Sequence, residues 1–228
     1  MLLVKWRPEA IVALTEIIDF IEQYNPVAAA SLHRIIVAAT EHLSSMPYGF
    51  KQGRLSGTRE MVVHPNYLVV YRVMEQVVLF RGWYSKALCL ACPEFLFVFG
   101  DNLLGFGMGG QAIIRTQPNA FGIPTKRKPS MSAGSFFSEH SESDLDAVLR
   151  RIGALWECLN DGITVVVPVN EKGETTLGLE RAKLREKAPT IYNAIQKHIE
   201  EMCDGFGSIE IDSEKGLRWH HAHSVGRS

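Results

Sequence analysis

The chain has 228 residues, more than the roughly 100 to 150 residues of one typical domain, which favours two small domains. Its 46% hydrophobic and 21% charged residues are typical of a globular protein, and the net charge of −1 gives no global reason to bind nucleic acid or membrane. No apolar run approaches the roughly 20 residues of a membrane span, and the first residues lack the order of a signal peptide. We therefore expect a cytoplasmic protein without membrane partners.

The four cysteines do not predict a disulfide framework. Cys158 and Cys203 fall in helical patterns, while Cys89 and Cys92 form one isolated pair in a predicted linker, residues 87–93. Such a pair could be half of a zinc site or a redox pair. Because no second Cys-x-x-Cys exists, the sequence predicts no metal site.

The first part of the chain predicts an α+β domain. Residues 3–7 alternate like a strand, and Pro8 and Pro26 each open an amphipathic helix, which predicts a helical hairpin. Residues 60–64, 67–73 and 77–81 then show the alternation of three successive strands, with polar turns between them. The predicted order is β-α-α-β-β-β, an antiparallel sheet packed against the hairpin.

Over residues 3–81, this order and several short phrases resemble the RelE/ParE toxins of type II toxin–antitoxin systems. The phrases lie at residues 6–10, 24–29, 53–54, 57–60, 64–67 and 71–72. The resemblance implies a bacterial toxin domain over residues 1–86. It also implies a cognate antitoxin as partner and either ribosome-bound mRNA or DNA gyrase as target.

Basic residues concentrate in the predicted sheet and its tail, opposed only by Glu60 and Glu75. They are the predicted nucleic-acid or antitoxin contacts: Lys51, Arg54, Arg59, Arg72, Arg81 and Lys86. Guanidinium groups on a rigid sheet could stabilise the charge that develops in RNA cleavage, which makes Arg59, Arg72, Arg81 and Tyr84 candidate catalytic residues of a ribonuclease. The alternatives are a solvated sheet face or a groove for an acidic antitoxin segment.

Two features argue against cleavage. His64 could act as a general base, but its place beside Pro65 favours a turn residue. Toxins of this type commonly end in a tail that contains a histidine, whereas residues 81–86 here contain none. The first domain could therefore be altered or inactive, or Tyr84 and Lys86 could take the chemical place of the histidine.

The second part begins with an apolar run, residues 94–99, that predicts a buried strand ending in a functional loop. Glycines 105, 107, 109 and 110 then precede a helix start, an arrangement that presents backbone N–H groups to a phosphate. The spacing fits neither the Walker nor the Rossmann pattern. Asp101, at the strand end, would bind a ribose or an adenine amine.

A second strand, residues 163–169, leads into another loop, and the alternation with helices at about 142–160 and 179–202 and a strand at 207–212 predicts a three-layer α/β/α domain over residues 94–212. The two loops are expected to enclose one ligand. The predicted ligand-binding residues are Gly100, Asp101, Asn102, Gly107, Gly109, Gly110, Gln111, Asn119, Asn170, Gly173, Thr176 and Gly178.

Phrases at residues 97–102, 109–112, 118–119, 122–126 and 188–189 resemble a phage and bacterial family of macrodomain-like proteins, over about residues 94–202. The resemblance implies a macrodomain-like sandwich that binds ADP-ribose or a related nucleotide, needs no cofactor, and could act as a hydrolase on an ADP-ribosylated target. The usual Asn-Ala-Ala-Asn stretch is absent, which disfavours hydrolysis more than binding.

If this domain is catalytic, Asp101 would orient or activate a water, and Lys126 would stabilise a phosphate or attack the ribose carbon. The alternatives are a loop cap for Asp101 and a surface charge for Lys126. Residues 213–228, with the His-rich stretch 219–223, are predicted to be a disordered tail rather than a metal site.

Taken together, the sequence predicts a toxin-type domain fused to a nucleotide-binding domain. One alternative is a non-toxic ADP-ribose-binding or de-ADP-ribosylating protein with a degenerate toxin domain. The other is a gene fusion whose halves work independently, with the irregular stretch 81–93 as its junction.

Overall fold

The computed structural model describes residues 4–55 and 58–225, and the chain divides into two compact units, Met1–Met74 and Glu75–Ser228. The division falls before the segment 77–86, which the sequence assigned to the first domain. None of the helices in the described part of the chain is both long and apolar enough to span a bilayer.

The first unit begins with a helical hairpin, α1 (Pro8–Glu22) and α2 (Pro26–Glu41), followed by a 3-10 turn at His42–Ser44. Both helices have proline in the first turn, and the side chain of Asn25 caps α2 by accepting a hydrogen bond from the Ala28 amide at 3.0 Å. The hairpin was predicted correctly. The leading strand was not, because residues 4–7 form no strand; residue 3 lies outside the described residues.

The sheet of the first unit has three antiparallel strands in the order β1 (Lys51–Gln52), β2 (Arg59–His64) and β3 (Tyr67–Tyr71). The register places Lys51 opposite Glu60 and Met61 opposite Val69. Met61 is buried together with Leu32 and Ile36 of α2. The predicted strands at 60–64 and 67–73 correspond to β2 and β3, while the third predicted strand, 77–81, is absent from this sheet.

That third segment is β4 (Val77–Phe80), and it lies inside the parallel sheet of the second unit. The other strands are β5 (Phe95–Asn102), β6 (Ala120–Lys126), β7 (Thr164–Pro168) and β8 (Ser208–Ile211), in the order β6-β5-β7-β4-β8. β4 pairs in parallel with β7 on one side and β8 on the other. Its continuous apolar run is typical of a strand buried on both faces, so the predicted place in the meander was wrong.

Helices cover both faces of this sheet. On one face, α4 (Glu142–Asn160) and α6 (Pro189–Phe206) pack with Val98 and Val165; on the other, α3 (Lys86–Ala91) and α7 (Glu214–Val225) pack with Phe97 and Val166. A short helix, α5 (Leu184–Lys187), precedes α6. The three-layer α/β/α arrangement is the predicted one.

Two segments predicted to lack structure contribute to this core. Residues 87–93, expected to be a linker, largely form α3, whose Leu88 is fully buried. Most of the stretch 213–228, expected to be a disordered tail, forms α7, and its Leu217 is also fully buried; residues 226–228 lie outside the described residues. The apolar patterns of these two segments are too short to predict a helix from the sequence. The helices form here because the sheet provides a surface against which their apolar side chains are buried.

Asn119 lies just before β6, at the edge of the sheet where the parallel strands begin. Its buried Nδ2 points at the carbonyl oxygens of Cys89, Cys92 and Phe95, each 3.0 Å away. The two N–H groups of this amide are thus shared among three backbone acceptors that join α3 to β5. The structure places Asn119 in the core, and its predicted role in ligand binding stays a prediction.

Replacing this amide by a carboxylate, Asn119→Asp, is expected to lower the free energy of unfolding by about 3 kcal/mol, because the three carbonyls lose the Asn119 donor and face a buried negative charge. Urea unfolding of the full chain measures the change. The matched control is Asn193→Asp on the exposed side of α6, which should leave stability nearly unchanged. Equal effects of the two substitutions would contradict the assignment of Asn119 to the core.

Candidate functional site

The order of the parallel strands marks one place for a ligand. β5 and β7 are neighbours, but the chain leaves β5 towards β6 and leaves β7 towards β8, on the opposite side. Connections that diverge in this way open a crevice at the carboxyl ends of the strands, where open α/β sheets bind ligands. Asp101 and Asn102 lie at the end of β5, and Pro168 ends β7.

The loop that follows β5 is the predicted glycine-rich loop. Gly105, Gly107 and Gly110 have φ angles of 60°, 91° and 60°, which other residues rarely adopt. Asn102 holds the loop, since its side chain accepts from the Leu104 amide at 3.2 Å and donates to the Phe106 carbonyl at 2.8 Å. The loop ends in a short 3-10 turn, Gly110–Ile114, instead of the predicted helix. A turn this short supplies no helix dipole to attract an anion to the loop.

The loop after β7 packs directly on the end of β5. A Cβ on Gly100 would lie 1.8 Å from the Leu177 carbonyl oxygen, so only glycine permits this approach. Gln111 joins the two loops by accepting from the Gly100 amide at 3.3 Å and donating to Thr176 Oγ1 at 3.0 Å. The structure thus brings together Gly100, Gln111, Thr176 and Gly178, as the sequence predicted.

Asn170 and Gly173, also predicted to bind ligand, form a local turn in this second loop. The Asn170 side chain accepts from the amides of Lys172 and Glu174 and donates to the Glu174 carboxylate. Gly173 has a φ of 79°, which closes the turn. Their side-chain and backbone geometry is explained by the turn alone.

Asp101 is committed to an ion pair. Its carboxylate accepts from Arg115 Nη2 and Nε and from the Asn102 amide, and Arg115 also donates to the Gly107 carbonyl. Side-chain exposure is 16% for Asp101 and 14% for Arg115, so the pair is largely shielded from water. The pair ties the glycine-rich loop to β5, which agrees with the alternative interpretation of Asp101 as a loop-holding residue.

Lys126, at the end of β6, lies opposite Asn102 in the β5–β6 register. Its Nζ donates to the Ser130 carbonyl at 3.1 Å and sits 4.4 Å from the centre of the Phe136 ring. Partial desolvation and the nearby charges of Arg181 and Lys183 lower the pKa of Lys126.

Arg181 and Lys183 were missed by the sequence analysis, which assigned them to the start of a helix. In the structure, the two residues follow a turn at Leu177-Gly178, whose φ angles are 33° and 65°. This turn directs the segment back over the site. We name Lys126, Arg181 and Lys183 the cation cluster.

The predicted basic surface is divided between the two units. In the first unit, Lys51 and Arg54 both bind the Glu60 carboxylate, at 3.4 and 3.0 Å, and Arg59 donates to the carbonyls of Tyr48 and Phe50 at 3.1 and 2.5 Å. Arg72 is exposed after β3. Three of these four cations therefore hold the sheet and its preceding loop together.

The other predicted toxin residues lie in the second unit. Arg81 forms an ion pair with Glu210 of β8. Tyr84 is buried, its Oη donates to the Val166 carbonyl at 2.9 Å, and burial raises the pKa of its phenol well above the usual value. Lys86 is the exposed first residue of α3. His64 Nδ1 accepts from the Asn66 amide at 3.3 Å, which agrees with the interpretation of His64 as a turn residue.

The cysteine pair lies in the core of the second unit, and the histidine stretch lies on α7. Cys89 and Cys92 are buried at the end of α3, and burial raises the pKa of the Cys89 thiol to about 11. His221, on α7, pairs with Glu94. Over residues 4–55 and 58–225, no three His, Cys, Asp or Glu side chains converge as metal ligands.

Glu60 is the anion around which the cations of the first unit are arranged. The Arg54 backbone N–H, the Arg54 guanidinium and the Lys51 ammonium hold its pKa at about 2, below the ordinary 4.5. Because the folded-state pKa is lowered, the contribution of Glu60 to stability is present above pH 4.5 and is lost as the pH falls towards 2.

The substitution Arg54→Gln is expected to raise the midpoint of the Glu60 titration from about 2 towards 4.5, because the guanidinium is lost while the backbone N–H remains. NMR of the Glu60 carboxyl carbon against pH measures the midpoint. Arg34→Gln, on the exposed side of α2, is the control and should leave it at about 2. A wild-type midpoint near 4.5 would contradict the arrangement.

Comparison with known proteins assigns both units. Residues 4–82 match the model of the ParE toxin of type II toxin-antitoxin system, parDE, and residues 79–198 match that of a family of unknown function, DUF7831. The two matches overlap at residues 79–82, at the end of β4. Because the function of the second family is unknown, the predicted macrodomain likeness stays a prediction.

Two curated relatives match the first unit. The chain is 33% identical to "Putative toxin Y4kP" of Sinorhizobium fredii over 75 residues, 32% of this chain and 78% of that protein. It is 35% identical to "Toxin RelE2" of Caulobacter vibrioides over 77 residues, 33% of this chain and 84% of that protein. No solved structure matches the chain. The chain therefore belongs to the RelE/ParE toxin family through its first unit and to the family of unknown function DUF7831 through its second.

Proposed function

We propose that the chain is the toxin of a toxin–antitoxin pair and that its first unit inhibits growth by binding its target, not by cleaving RNA. The observation that carries this choice is the position of the residues expected to cleave. Arg81 and Tyr84 are engaged within the second unit, and Arg59 is bound to two backbone carbonyls. Of the four candidates, Arg72 is the one exposed on the first unit. DNA gyrase is the proposed target, since the family resemblance offers it as the alternative to ribosome-bound mRNA.

A cognate antitoxin is the proposed inhibitor. Helix α1 has no buried residue, and Ile11, Val12 and Phe20 are 51%, 55% and 63% exposed. Apolar side chains clustered on one exposed helix favour a protein partner, because covering them removes apolar surface from water.

We expect the full chain, expressed without an antitoxin, to arrest growth while cellular mRNA stays intact. Arg72→Gln should weaken the arrest, because it removes an exposed charge from the first unit. Lys86→Gln is the matched control, since Lys86 is exposed on α3 of the second unit and should not affect the arrest. Growth curves and RNA sequencing of cleavage ends measure both effects.

The outcomes separate the two modes of action. Arrest accompanied by inhibited DNA supercoiling and intact mRNA agrees with a binding toxin that acts on gyrase. New mRNA ends at ribosome-protected positions would contradict a toxin that acts by binding alone. They would support the alternative that the first unit is a ribonuclease. Normal growth at full expression, with the protein folded, would contradict toxicity and would support the alternative that the toxin unit is degenerate.

A second candidate function belongs to the second unit, which we propose binds ADP-ribose or a related nucleotide at the β5–β7 crevice. Its support is the meeting of the glycine-rich loop and the Leu177-Gly178 turn, joined by Gln111. Since the Asp101 carboxylate is paired with Arg115, it is poorly placed to activate a water as a general base. This favours binding of the nucleotide over its hydrolysis.

Gly109→Glu is expected to abolish ADP-ribose binding. Gly109 has φ −84° and ψ 142°, and a Cβ there would meet nothing within 4 Å, so the substitution places a carboxylate in the loop without backbone strain. Calorimetry of the full chain measures affinity. The matched control is Gly153→Glu in α4, where a Cβ also meets nothing within 4 Å.

Saturable binding that survives Gly153→Glu and is lost in Gly109→Glu would support the nucleotide site. If Gly109→Glu leaves binding unaffected, the ligand binds at a surface other than the glycine-rich loop. An absence of binding by the wild-type chain would overturn the ADP-ribose proposal without affecting the toxin proposal, since the two concern different units.

A further inference from the structure

The cation cluster lies at the carboxyl edge of the parallel sheet, beside the glycine-rich loop. Lys126 is opposite Asn102, the residue that holds the start of that loop, and the Leu103 amide donates to the Lys126 carbonyl at 2.9 Å. At the other end of the loop, a Cβ on Gly110 would lie 3.4 Å from Arg181 Nη1. Arg181 therefore lies against the Gly110 end of the loop, and the Lys126 backbone is hydrogen-bonded to the other end.

The neighbouring cations of this unit are neutralised, whereas the cluster is not. Arg127, next to Lys126 in sequence, makes two hydrogen bonds to Asp144 at 2.9 and 2.6 Å, and Arg115 is paired with Asp101. Within the part of the chain that the structure describes, Lys126, Arg181 and Lys183 form no ion pair within 4.0 Å. Like charges that converge without a carboxylate repel one another, and a bound anion removes that cost.

The aromatic ring of Phe136 lies beside this cluster. The Lys126 Nζ is 4.4 Å from the centre of the ring, and the Lys187 Nζ is 5.5 Å from the same centre. Lys187 is paired with Glu186 at 4.0 Å, so it is not counted in the cluster. Lys183 follows Arg181 by two residues in the segment that the Leu177-Gly178 turn precedes.

We propose that Lys126, Arg181 and Lys183 bind the phosphate groups of the ligand, with Arg181 holding them against the glycine-rich loop at Gly110. The ligand class is a diphosphate, in which adjacent phosphates engage the separate cations. This inference rests on the nucleotide site proposed above and names the part of the ligand that determines its affinity.

Inorganic pyrophosphate is the probe, titrated calorimetrically into the full chain at low salt. Arg181→Gln and Lys126→Gln are each expected to weaken binding roughly tenfold or more, because each removes a charge-assisted hydrogen bond. Arg150→Gln is the matched control, since Arg150 is exposed on α4, where its side chain donates to the Asp146 carbonyl at 3.3 Å. Circular dichroism checks that every variant is folded.

The outcomes distinguish this inference from the nucleotide proposal. If pyrophosphate does not bind the wild-type chain, or if Arg181→Gln binds it as tightly as Arg150→Gln does, the cluster is not a phosphate site. If ADP-ribose binds and is insensitive to Arg181→Gln and Lys126→Gln, the nucleotide site stands and this inference falls. If pyrophosphate binds through the cluster and ADP-ribose does not bind, the phosphate site stands and the nucleotide is wrong.

Discussion

The parallel pairing of β4 between β7 and β8 is the constraint on which the division of the molecule depends. Val77 and Val78 are fully buried, and each side of the strand is hydrogen-bonded to a neighbour. A strand held on both edges and both faces cannot also complete the sheet of the first unit. The chain therefore passes from toxin to second unit before β4, although the toxin family match continues to residue 82.

The residues after β4 are placed by the same pairing. Arg81 comes directly after β4 and forms an ion pair with Glu210 of β8. Tyr84 donates a hydrogen bond to the Val166 carbonyl of β7. Residues expected to do chemistry in the toxin thus stabilise the second unit. This is the physical reason for favouring a toxin that binds over one that cleaves. It also shows that the stretch 81–93 is no irregular junction, because Tyr84, Leu88 and Cys92 are part of a packed core.

In the second unit, the ion pair of Asp101 and Arg115 is largely shielded from water and holds the candidate site in place. It fixes the glycine-rich loop to the end of β5. A neutralised carboxylate beside unneutralised cations favours an anionic ligand. The arrangement is better suited to holding a phosphate than to hydrolysing a bond.

The sequence by itself determined the local features: the helical hairpin, β2 and β3, the buried run of β5, the glycine-rich loop and the alternation of the second unit. These follow from periodicity and turn chemistry, which act over a few residues. Only the tertiary structure decided the sheet to which Val77–Phe80 belongs, because an apolar strand fits either sheet until its neighbours are known. It likewise decided that Asn119 is a core amide and that Arg181 and Lys183 join Lys126. Those residues meet through strand order and through a turn with unusual φ angles, and neither is encoded in local spacing.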